Sequence, residues 1–234
     1  MEIILFIAFS LLLFFLINNS INKNREQTGI HKKIKYAFHG LRCYSKGLNY
    51  SETEVVRILS ERLNTKEYYI FNNLILETST GSTQIDHVVV SPYGIFVFET
   101  KDYSGWIFAN ERRREWTQTF RTGKKQAFQN PLHQNYRHVK ILENYLSFVP
   151  SNTFKSIVIF TRNSDFKTKI PRNVIYIDEL SHYIEGFSDV LINKAIYFMA
   201  IGKLSQLCQS TDISPENHII NLAKEHGKSN DVIN

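Results

Sequence analysis

A chain of 234 residues, 43% apolar and 21% charged, is long and apolar enough to bury a real core, which excludes a disordered or low-complexity polypeptide. The net charge of +6 leans toward polyanions without selecting a partner. Two cysteines, Cys43 and Cys208, form no zinc or disulfide framework by spacing, and a reduced compartment is the economical reading.

From the N-terminus, Ile3 to Ile17 carries no charge and one hydroxyl, Ser10. A bilayer-crossing helix needs about 20 residues, and Asn18 to Ile21 complete the span near the headgroups. Lys23, Arg25, Lys32, Lys33 and Lys35 follow, while only Glu2 precedes. The positive-inside rule then places the N-terminus outside and the bulk of the chain in the cytoplasm. A cleaved signal peptide would need a basic start and a small-x-small cleavage site, and neither is present. Residues 1–21 are therefore expected to be a single-pass membrane anchor, followed by a basic linker over 22–46.

Apolar residues at 55, 56, 59 and 63 predict a helix over 51–63 with Ser51 as its N-cap. A strand is expected over 68–77, bent at Asn72-Asn73, then strands over 84–90 and 95–101, and another over 115–120. "NPLHQNYRHVKILENYL" (130–146) predicts a helix with Asn130 as N-cap and Pro131 in the first turn. Short β-branched strands follow at 156–160 and 174–177, then helices over about 179–208 and 215–226. This order describes an α/β protein, a mixed β-sheet with helices packed on it.

The stretch Gln84–Lys101 carries charge where a sheet calls for apolar residues. With the loop at Ser91–Gly94 or at Pro92-Tyr93 alone, the same register follows, and Asp86 lies opposite Glu99 and Gln84 opposite Lys101. Alternation puts Ile95, Val97, Glu99 and Lys101 on one face and Phe96 and Phe98 on the other. Two facing carboxylates require a shared proton or a cation, and a hard ion such as Mg²⁺ suits such a pair. Lys101 would then orient a water or screen the phosphate under attack. The competing reading is a surface ion pair at a frayed strand end. Glu52 shares a helical face with Val55, Val56 and Leu59 and is the third candidate acid, against a simple preference of acids for a helix N-terminus. Glu54 points away.

His87 faces the Phe96/Phe98 side and reads as a core histidine. His133, Gln134, Arg137 and His138 lie on the 131–146 helix, with Gln134 and His138 on one face; contact with the site or with DNA is the alternative to packing or solvent exposure, which is the leading expectation. Segment 111–125 carries six basic residues against two acidic ones, with Trp116 and Phe120 interleaved. Arg112, Arg113, Arg114, Lys124 and Lys125 are its candidates for gripping phosphates, with the aromatic rings for stacking on bases.

Taken together, "SETEV", "QIDHVVVSPYGIFVFETKDYSGWI", "EWTQ" and "FQNPLHQNYRHVKIL" resemble the NERD (nuclease-related) domain over residues 47–165, a domain similar to the PD-(D/E)XK nucleases. Ser51 stands where that family usually has glycine. The resemblance implies a PD-(D/E)XK-like (restriction-endonuclease-like) core, completed or extended by residues 166–212, with a helical tail over 213–234. It implies Asp86 and Glu99 as ligands of Mg²⁺ or Mn²⁺, Lys101 as water-positioning base or electrostatic catalyst, Glu52 as the helical acid and Gln118 as a polar contributor. The function expected is a membrane-anchored nuclease acting on DNA. The alternatives are a non-catalytic module binding nucleic acid or protein at the membrane, and an assembly protein with a degenerate site.

Overall fold

The computed structural model describes residues 48–64 and 66–210, with side chains as far as Cys208. The expected anchor, its linker and the 215–226 helix lie outside these residues. Among the described residues, no helix is long and apolar enough to cross a membrane.

In chain order the elements are α1 (Tyr50–Arg62), β1 (Tyr69–Thr78), β2 (Gly81–Ser91), β3 (Gly94–Lys101), β4 (Gly105–Phe108), β5 (Glu115–Thr119) and β6 (Lys125–Gln129). They continue with α2 (Pro131–Tyr145), β7 (Phe154–Phe160), β8 (Ser164–Phe166), β9 (Val174–Tyr176), α3 (Leu180–Glu185) and α4 (Lys194–Ser210). One sheet has the order β1-β2-β3-β7-β9, antiparallel through β3 and parallel beyond it. A second, smaller sheet has the order β6-β5-β4-β8. The mixed α/β architecture read from the sequence is present, but divided between two sheets. Of the smaller sheet only β5 was anticipated, since its partners are three to five residues long and too short for a clear alternation.

Alternation in the larger sheet makes two cores. Val88, Val90, Ile95 and Val97 face Val139 and Leu142 of α2 and Ala200 and Leu204 of α4. Val89, Phe96, Phe98, Ile157 and Ile159 face Val55 and Leu59 of α1 and Leu180 and Ile184 of α3. The smaller sheet closes over Val158 and Phe160 with Ile107, Trp116 and Phe128.

Two local differences from the sequence reading have physical causes. Asn49, not Ser51, caps α1: the Glu52 amide donates to Asn49 Oδ1 (2.9 Å) and Glu52 Oε2 accepts from the Asn49 amide (3.3 Å). This reciprocal arrangement satisfies two free helix amides, and Ser51 is drawn into the buried first turn. The single helix expected over 179–208 is broken into α3 and α4, because the Leu191 and Ile192 amides both donate to the Pro92 carbonyl (2.9 Å each) and tie the connection to the β2–β3 turn. Cys208 is disulfide-bonded, which the spacing of the cysteines did not suggest.

Candidate active site

The β2–β3 turn is the two-residue version: Ser91 pairs with Gly94, and the ladder continues in the expected register to His87 opposite Phe98. There it stops. The Asp86–Glu99 and Gln84–Lys101 pairs do not form. Asp86 Oδ2 instead accepts from the Thr100 amide (2.8 Å), so a carboxylate replaces a backbone acceptor. The β1–β2 ladder also skips Asp86 and its register partner Asn73, which has a positive φ of 50°. Gln84 stays paired with Ile75 and donates its amide to Asn73 Oδ1 (3.0 Å). Asp86 thus sits in a gap between three strands, at the bend foreseen for Asn72-Asn73.

Glu99 is only 2% exposed. Its Oε1 accepts from Lys101 Nζ at 2.5 Å, and Lys101 also donates to Gln134 Oε1 (3.1 Å). Its Oε2 lies 3.3 Å from His138 Nε2, close but without hydrogen-bond alignment, so both atoms stay buried and unsatisfied. His138 Nδ1 contacts Thr83 Oγ1 at 3.2 Å. Helical spacing sets Gln134 and His138 one turn apart on the buried side of α2. Asn135 between them donates to Val97 O, Ile157 O and Ser156 Oγ (2.9–3.0 Å), pinning the helix across β3 and β7. The site opens into a cleft of about 430 Å³ lined by Thr83, Gln84, Asp86, Gln134, Arg137 and His138.

The electrostatics follow from this crowding. Burial raises the Asp86 pKa, Glu99 and Glu52 raise it further, and the Thr100 amide and Lys101 only partly offset them. Burial would also raise Glu99, but His138 and Lys101 hold it below the usual carboxylate range. Burial disfavours the Lys101 ammonium, yet Glu99 and Asp86 outweigh it and keep Lys101 above its ordinary value. Burial raises Glu52, whose charge is felt by Asp86 and which feels Glu99 and Lys101 in turn. Glu52 therefore serves both readings, bonded within the α1 cap and electrostatically coupled to the strand acids.

Among the described residues, no three His, Cys, Asp or Glu side chains form a ready-made ligand set. The donor chemistry nonetheless fits a hard divalent cation. Two mutually repelling carboxylates, Asp86 and Glu99, stand together, and Glu99 keeps one buried oxygen unsatisfied. Magnesium is commonly held by one or two carboxylates with water completing its shell.

The other expected residues lie farther out. Gln118 is buried and donates to Ser104 O (2.7 Å), bracing the chain just after Lys101 without a hydrogen bond to the acids. Arg112, Arg113 and Arg114 are exposed in the β4–β5 connection, whose carbonyls the Asn130 amide holds against the start of α2. Lys124 and Lys125 are exposed in the turn at the opposite end of β5, about 16 Å away along a five-residue strand. The single basic stretch of the sequence is thus two separate clusters. Trp116 is 1% exposed and stacks on Phe160, so it cannot receive a base. His87 is a core histidine, bonded to Asn72 Oδ1 (2.8 Å) and pushed down to about 3 by burial. Gln134 and His138 are the site residues for which sequence reasoning ranked packing or solvent exposure above contact with the site. Their one signal was the four-residue spacing on a helix whose other face is charged.

An α/β fold that gathers buried acids and a lysine at the end of a sheet hairpin defines a class of nuclease-like domains. Residues 48–161 match the family model of the nuclease-related domain, NERD, and this part of the chain is a NERD domain. The chain is also 38% identical over 151 residues to an uncharacterised protein of Bacillus anthracis, an alignment covering 59% of this chain and 66% of that protein.

Proposed function

We propose that this protein is a nuclease that hydrolyses phosphodiester bonds of DNA with Mg²⁺ or Mn²⁺, held at the cytoplasmic face of a membrane by residues 1–21. The observation that carries this reading is the buried Glu99–Lys101 pair beside Asp86, which lines an open cleft together with Gln134 and His138. Asp86 and Glu99 would hold the cation, which when bound lowers the pKa of water and neutralises phosphoryl charge. Held above its ordinary pKa, Lys101 stays an ammonium at neutral pH. That favours electrostatic stabilisation of the phosphoryl oxygens over general-base work. Glu99 and Gln134 fix its direction, and Gln118 steadies the segment that follows. The overall fold class this reading assigns is PD-(D/E)XK-like.

The test is cleavage of DNA by the full-length protein with Mg²⁺ or Mn²⁺. Glu99→Gln and Lys101→Ala should abolish it, and wild-type cleavage by both variants would overturn the proposal. The exposed basic clusters at both ends of β5 favour a second reading, a non-catalytic binding module. It requires salt-sensitive DNA binding that survives both substitutions, with no cleavage by the wild type.

A further inference from the structure

The outer face of the smaller sheet carries two large aromatic side chains, and among the described residues no helix or strand packs over them. Trp106 is 51% exposed and Phe108 39%, while Ile107 between them is fully buried. Strand alternation therefore sets both rings on the solvent side of β4, about 7 Å apart along the strand. Their cross-strand partners are Thr119 and Thr117, and Lys125 and Ala127 continue the same face on β6. Lys167, just past β8, places its ammonium 5.2 Å from the Trp106 ring and also pairs with Asp165. A groove of about 630 Å³ begins at Trp106 and runs past Phe120, Arg121 and Arg162.

The charge around this face is one-sided. Residues 105–129 and 162–170 hold nine basic and three acidic residues, and the balance stays basic even with Arg162 paired to Asp178 from outside these stretches. A protein partner would have to be strongly acidic, and a second copy of this chain would bring like charge against like. Exposed rings on a sheet, ringed by Lys and Arg, suit unpaired bases with their phosphates at the rim. Duplex DNA keeps its base faces stacked inside and offers nothing to the rings.

The geometry points to a binding platform for single-stranded nucleic acid on the outer face of the smaller sheet, with bases on Trp106 and Phe108 and phosphates on Arg121, Lys125 and Lys167. It extends the reading above from the bond that is broken to the strand that is held. The backbone links it to the site: the Thr161 amide donates to the Lys101 carbonyl (3.1 Å), and the groove wall starts at the next residue, Arg162.

The chain has two tryptophans, and Trp116 is buried, so a change in tryptophan emission on ligand contact is assigned to Trp106. The full-length protein, in chelator to prevent cleavage, is titrated with oligothymidylate and oligouridylate of about ten nucleotides, within the site sizes of single-strand binders. Both are expected to quench, and the tighter of the two identifies the preferred strand, oligouridylate lacking both the deoxy sugar and the thymine methyl group. Trp106→Ala should weaken binding measured by anisotropy by about 5- to 100-fold, the range of one lost stacking contact. Absence of quenching, affinity unchanged in Trp106→Ala, or equal quenching by a duplex would overturn the platform. So would self-association abolished by Trp106→Ala, which would assign the face to a second copy. None of these results bears on the cleavage test, which reads Glu99 and Lys101.

Discussion

The Thr100 amide donates to Asp86 Oδ2 at 2.8 Å, at the point where the hairpin ladder ends. This bond holds a carboxylate still against the strand that carries Glu99 and Lys101. It also keeps Asp86 in a place where burial and Glu99 both disfavour its charge.

Asp86 should make the cation-free protein less stable as pH rises. Its pKa is raised in the fold, so its contribution is complete below the unfolded carboxylate value near 4 and is lost as pH climbs through the folded value, about 8. Glu52 is raised as well, and His87 is depressed with the opposite sign, its effect ending near pH 6.5. The clean window is therefore pH 6.5 to 8. Wild-type stability should fall there by about 1–2 kcal/mol, while Asp86→Asn, which keeps an acceptor for Thr100, stays level. Parallel thermal-denaturation curves for the two proteins would refute this.

Cation binding should be linked to a proton at the same residue. Asp86 carries one near neutrality, and a ligand must be deprotonated to bind metal. Titration calorimetry with Mg²⁺ at pH 7 in buffers of different ionisation enthalpy should show release of up to about one proton, and none for Asp86→Asn. Heats independent of buffer would contradict the assignment.

The core and the hairpin register were legible because both rest on local rules. Alternation in β2 and β3 and the Pro-Tyr-Gly turn were sufficient to place Phe96 and Phe98 opposite Val97 and Glu99. The end of the ladder was not legible, because pairing rules carry the register onward until a side chain intervenes, and here Asp86 does so. His138 was ranked low because a histidine on a helix face reads as packing or solvent unless the strand beneath it is known. Trp116, offered as a stacking ring, is buried for a similar reason: which face of β5 is covered depends on Val158 and Phe160 of β7, distant in sequence.

His138 should matter to the chemistry through Glu99. It is the leading influence that lowers the Glu99 pKa against burial. His138→Ala should raise that pKa, so the acid limb of the cleavage pH profile moves upward and kcat falls while DNA affinity holds. An unshifted acid limb would reduce His138 to packing.

The Glu99–Lys101 pair separates stability from catalysis. Both side chains are largely buried, so removing one partner leaves an uncompensated charge, a loss of about 3–5 kcal/mol when burial is complete. Lys101→Met, which keeps the apolar stem, should therefore lower Tm clearly. Adding Glu99→Gln removes the stranded charge and should recover much of that loss, because a neutral pair needs no counter-ion. Activity should not return, since neither the carboxylate nor the ammonium is present. A double variant that regains stability yet stays inactive assigns the pair to the reaction. One that regains cleavage with stability would show that the pair only holds β3 against α2.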